Sequence, residues 1–180
     1  MWAREETLRR TPLTILGALA SFGLYLLIRE LGHLVALSLL RLPISAVLRY
    51  GCLPAFEVGG ETLALSVKSA AWVVASGPMA VLAAGYILLA AIAGGRLKTT
   101  SFLRLLGGLT CYLALVLDPI YYTVIPLFNM GGEPETLAYL LGVSLARIEI
   151  GALALLVVNA ILTRRIVVPF LREADRAKSE

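Results

Sequence analysis

Charge is scarce in this chain. Its 180 residues carry 12 acidic and 16 basic side chains, 16% of the total, against about 25% in a soluble domain. Hydrophobic residues make up 59%, and mean hydropathy is +0.85. This balance excludes a soluble globular enzyme and an intrinsically disordered chain. Cysteine is scarce too. Cys52 and Cys111 lie 59 residues apart and outside any CxxC or CxxH spacing, so both read as unlinked structural thiols. Histidine occurs once, as His33, which excludes a zinc site drawing two imidazoles from one copy of the chain. The formal net charge of +4 speaks to membrane topology and anionic lipid, and no nucleic-acid partner is expected. Internal repeats and low-complexity segments are absent.

What the chain has in abundance is uncharged apolar sequence. Residues 11–28, 34–40, 69–95, 105–117, 119–132 and 150–163 carry no charge. A helix needs about 20 residues to cross a bilayer. The runs therefore predict an all-α integral membrane protein, a single membrane domain over 1–180 with spans at 12–40, 69–94, 103–127 and 146–170. The first apolar run continues well beyond the length of a signal peptide, so this span is expected to remain uncleaved. Lys and Arg outside the spans or within two turns of a span end number eleven on one side and four on the other. The positive-inside rule then predicts a multi-pass protein with both termini in the cytoplasm. Between the first two spans, residues 41–68 break into short β-prone stretches separated by Gly and Pro, which predicts a small β hairpin at the membrane surface.

Polar residues within spans are the informative ones, because each charge there costs about 2.5–3.5 kcal/mol or more. The first span carries Arg29-Glu30-Leu31-Gly32-His33. Spacings of three and four residues put Glu30 and Arg29 each on a face with His33. The third span carries Asp118 followed by Pro119, whose missing amide frees a carbonyl of the preceding turn and permits a kink. The bland reading is structural, with Arg29 paired to Asp118 or Glu30 and His33 bonded to a carbonyl. Likewise Gly107, Gly108 and Gly142 read as close-packing residues. Tyr121, Tyr122 and Trp72 read as interfacial anchors, and Asn159 as an interhelical hydrogen bond.

The segment Arg29-Glu30-Leu31-Gly32-His33 resembles the HExxH motif, commonly HELGH, of the site-2 protease family of intramembrane metalloproteases (peptidase family M50). Three other features share the resemblance, which covers residues 12–135. The motif lies in a span. Ser76-Gly77-Pro78-Met79 in the second span is similar to the family's AGP-type motif. Asp118 lies in the third span, where the family supplies a carboxylate ligand. The turn Asn129-Met130-Gly131-Gly132-Glu133 is loosely similar to an Asn/Asp-Gly sequence near that aspartate. The resemblance implies that Glu30 is the catalytic base, that His33 and Asp118 are metal ligands, and that Gly77 and Pro78 face the substrate. It implies zinc as the cofactor of an active form and a transmembrane protein helix as substrate or client, with membrane lipid around it.

The chain departs from the motif at its first position, where Arg29 replaces a histidine. Arginine offers no lone pair and carries a fixed charge. At most His33 and Asp118 remain as standard ligands, while a catalytic zinc normally has three protein ligands plus water. Glu133 and Glu135 are candidates for the gap. The expectation is a catalytically impaired scaffold, a pseudoenzyme that binds transmembrane helices, with zinc only in an active form and otherwise no cofactor. Two alternatives stand beside it: an active zinc metalloprotease with a rearranged ligand set, and a non-enzymatic structural membrane subunit.

Overall fold

The computed structural model describes residues 2–41, 57–58, 61–62, 66–97, 101–128 and 132–176. Helix α1 spans Trp2–Leu39, α2 Val67–Ala93 and α3 Ser101–Val124, which runs on into a 3-10 turn over Ile125–Phe128. A short α4 covers Glu133–Leu141. It leads into α5, Leu145–Leu162, a π-helical turn over Thr163–Val167 and α6, Val168–Arg176. Among the described residues, four stretches are long and apolar enough to cross a membrane: Thr14–Leu39, Val67–Ala93, Phe102–Phe128 and Leu145–Arg172. The protein is a multi-pass membrane protein of helical architecture.

Of the predicted surface loop, residues 41–68, only a few residues before α2 are described. Its described residues contain one antiparallel ladder, Glu57–Val58 with Glu61–Thr62, in which Glu57 faces Thr62 and Val58 faces Glu61. Two residues per strand fall short of the five or six of an ordinary strand. These residues do not support the predicted β hairpin, and the remainder of 42–65 lies outside the described residues, Cys52 among them.

Helix α1 shows how the bundle is organised. Tyr25, Arg29, His33, Ala36 and Leu37 are buried, while Leu24, Leu27, Leu31 and Val35 are exposed. The buried set recurs at spacings of three and four, so one face is turned inward. That face carries the polar groups, and apolar residues face the surroundings, as a bilayer demands. Small residues let α1 and α2 approach closely. A Cβ on Gly32 would lie 2.6 Å from the Ser76 carbonyl oxygen and 2.7 Å from the Ala80 Cβ, and one on Gly77 would strike the His33 ring. Gly108 admits Leu171 in the same way, with 2.5 Å left between a Cβ there and the Leu171 Cδ2. In the membrane such close approach drives association, because lipid is as apolar as the helices.

Helix α3 contains Pro119, whose ring nitrogen cannot donate to the carbonyl four residues back, that of Leu115. Asn159 of α5 supplies the missing donor, its Nδ2 lying 2.6 Å from the Leu115 oxygen. The Asn159 Oδ1 in turn accepts from the Tyr86 hydroxyl of α2 at 2.6 Å. One buried amide thus ties three spans together, the interhelical role expected of Asn159. Cys111 is a free, buried thiol whose Sγ lies 3.4 Å from the Gly85 oxygen.

Candidate functional site

Four ionisable side chains meet inside the bundle. Arg29 is 8% exposed, and His33, Asp118 and Glu133 are each 2% exposed. Arg29 and His33 are one helical turn apart on the inward face of α1, Asp118 precedes Pro119 within α3, and Glu133 is the first residue of α4. The entry to α4 depends on Gly132, which has φ 147° and ψ −163°. A side chain is strained in that conformation, and a Cβ would lie 2.9 Å from the Tyr121 hydroxyl oxygen. Pro134 follows in the first turn, where its lack of an amide costs nothing.

Arg29 is the centre of the cluster. Its Nε lies 3.4 Å from the Asp118 Oδ1, and its terminal nitrogen bonds to the Glu133 Oε2. Tyr25, one turn earlier on α1, donates its hydroxyl to the same Asp118 Oδ1 at 2.7 Å. Tyr122, one turn after Asp118, donates to the Glu133 Oε2 at 3.1 Å. The guanidinium also stands 5.9 Å from the centre of the Tyr121 ring, within reach of its negative face. Burial pushes the Glu133 carboxyl up to about 7, against the opposing pull of the Arg29 charge.

His33 is held from the opposite side. Its Nδ1 lies 2.8 Å from the Val73 carbonyl oxygen of α2. A carbonyl only accepts, so Nδ1 carries the proton and Nε2 presents its lone pair. That lone pair has no hydrogen-bond partner and points toward the Glu133 Oε1, 4.0 Å away. The Asp118 Oδ2 and the Glu30 Oε1 are also buried without a partner. Glu30 itself is half buried, and it stands near enough to Glu133 to help raise that carboxyl.

The structure therefore brings together Arg29, His33 and Asp118 of the residues singled out from the sequence, with Glu30 at the edge. Gly77 packs against the His33 ring. Pro78 lines a neighbouring cleft of about 280 Å3 that also touches Asp118 and Tyr122. Of the two glutamates considered for the missing position, Glu133 enters the cluster. Glu135 is half buried, with its Oε2 unpartnered. Tyr25 and Tyr122 escaped the sequence reading. Tyr122 is a cluster residue, 8% exposed, and not the interfacial anchor its type implied. Both carry a readable signal: Tyr25 lies four residues before Arg29, and Tyr122 four after Asp118, so each shares a face with a charged group.

Comparisons with family models, with curated proteins and with solved structures give no match to the chain.

A zinc ion does not fit these residues as they stand. The Arg29 guanidinium engages both Asp118 and Glu133, the carboxylates a metal would need, and its fixed charge would repel a dication at that distance. Among the described residues no group of three or more His, Cys, Asp and Glu side chains has the geometry to hold a metal. The arrangement is a buried ion triad in which the Arg29 Nε and the Asp118 Oδ2 have no hydrogen-bond partner, with the His33 Nε2 and the Glu30 Oε1 unpartnered beside it.

Proposed function

We propose that the chain is a site-2-protease-like membrane scaffold that holds transmembrane helices without cutting them. The observation that carries this reading is the position of Arg29. The guanidinium lies between Asp118 and Glu133, beside the free lone pair of His33, where the resemblance implies a metal. The His33 ring supports the family reading. Its Nδ1 donates to a backbone carbonyl and leaves Nε2 free, the arrangement of a metal-binding histidine. With arginine in place, Glu30 has no polarised water to deprotonate, so hydrolysis loses its nucleophile.

A structural subunit would use the same ion triad as a lock. The unpartnered Asp118 Oδ2, Glu30 Oε1 and His33 Nε2 favour a binding role instead, because a lock gains nothing from buried acceptors left unpaired. The excess of Lys and Arg outside the spans at the two termini and the second loop supports cytoplasmic termini.

The test is proteolysis of a model transmembrane peptide by the purified protein. The unmodified chain should show no zinc-dependent cleavage. Arg29→His restores two imidazoles at i and i+4 and should gain cleavage, which Glu30→Gln on that background should abolish. Zinc-dependent cleavage by the unmodified chain would overturn the reading.

A further inference from the structure

The charge cluster is reached through a cleft of about 570 Å3 between α1 and α3. Its floor is Tyr25, Arg29, Asp118 and Glu133. Its walls include Phe22, Ile120 and Val124, which are 45%, 37% and 37% exposed and lie at bilayer depth. Such a cleft opens toward lipid, so its occupant arrives through the membrane.

The floor is unbalanced in charge. One guanidinium faces two carboxylates, with Glu30 close by as a third. On that floor the Asp118 Oδ2 is a buried acceptor without a hydrogen-bond partner, and the Arg29 Nε, 3.4 Å from the Asp118 Oδ1, is a buried donor without one; the Glu30 Oε1 and the His33 Nε2, outside the cleft's lining, are also unpartnered. Burial holds the Glu133 carboxyl up at about 7; a cation that carries several donors, placed beside it and the unpartnered Asp118 Oδ2, would satisfy both carboxyls in their charged form. Asp118 and Arg29 both lie within a few residues of the middle of their spans, Phe102–Phe128 and Thr14–Leu39. A partner helix with a basic residue at mid-span bears its own cost of about 2.5–3.5 kcal/mol or more in lipid. Docking relieves both costs at once, whereas an uncharged helix relieves neither.

We propose that the α1–α3 cleft docks a partner transmembrane helix carrying a lysine or arginine near mid-bilayer. The basic side chain reaches the Asp118–Glu133 carboxylates beside Arg29, and the apolar body of the helix covers Phe22, Ile120 and Val124. The proposal rests on the helix-holding reading and specifies which helices are held.

The experiment uses the full chain in nanodiscs of zwitterionic lipid, with a benzoylphenylalanine photo-crosslinker in place of Val124. The probes are Leu/Ala peptides of about 20 residues with a central Lys, Gln, Glu or Leu. The Lys peptide should crosslink about tenfold more than the Leu peptide, a modest fraction of the relieved cost, and the Glu peptide no more than the Leu peptide. Asp118→Asn should erase the Lys preference. Glu133→Gln, a second variant should the first fail to fold, should do the same. Equal crosslinking of all four peptides overturns the charge selectivity and leaves helix holding intact. A preference for Lys that survives both variants also overturns it, because the carboxylates would not be the receptor. Absence of crosslinking by any peptide removes helix holding, and this inference with it.

Discussion

Arg29 is the residue on which the cluster depends. With Arg29 removed, Asp118 and Glu133 lose the guanidinium that both engage at low dielectric. Breaking a buried ion network from one side costs about 3–5 kcal/mol, and an exposed substitution about 0.5 kcal/mol or less. Arg29→Ala should therefore lower stability in detergent far more than Arg172→Ala, as thermal unfolding would read. Equal melting of the two variants would contradict the triad. The sequence made Arg29, His33 and Asp118 stand out because charge inside a span is expensive and rare. Glu133 was harder to see: it follows the charge-free run 119–132 and looks like a loop residue. Only Gly132, with its positive φ, turns the chain so that the carboxylate enters the bundle.

Among the elements, the spans were legible and the loop was not. The expected spans 12–40, 69–94, 103–127 and 146–170 fall within a few residues of Thr14–Leu39, Val67–Ala93, Phe102–Phe128 and Leu145–Arg172. Hydropathy fixes a helix in lipid because the backbone has no other partner there. No such force acts on 41–68, where β-prone residues predicted a hairpin and only two-residue strands are described. The π-helical turn over Thr163–Val167 had no signal in the sequence either. Packing between elements rests on particular polar contacts, of which Asn159 is the clearest. Asn159→Leu would leave the Leu115 carbonyl and the Tyr86 hydroxyl without their partner. The expected loss is about 1–2 kcal/mol, measured as a lower unfolding temperature in detergent. An unchanged melting temperature would mean that the bonds contribute nothing to holding α2, α3 and α5 together.

For the molecule as a whole, the four candidate spans among the described residues imply both termini on one side of the membrane, and the proposed orientation puts that side in the cytoplasm. A reporter fused after residue 180 should be active in the cytoplasm and silent outside it; the reverse pattern would contradict the assignment. Function follows from what the bundle encloses. Arg29 lies between the Asp118 and Glu133 carboxyls, the place that the proposed reading gives to a metal in an active relative. The most direct measurement is the zinc content of the detergent-purified protein beside that of its Arg29→His variant, after both have been equilibrated with the metal. The unmodified chain should retain far less than one zinc per chain, and the folded variant about one, held by the restored histidine, His33 and Asp118. Zinc near one equivalent in the unmodified chain, or none in a folded Arg29→His, would contradict the account.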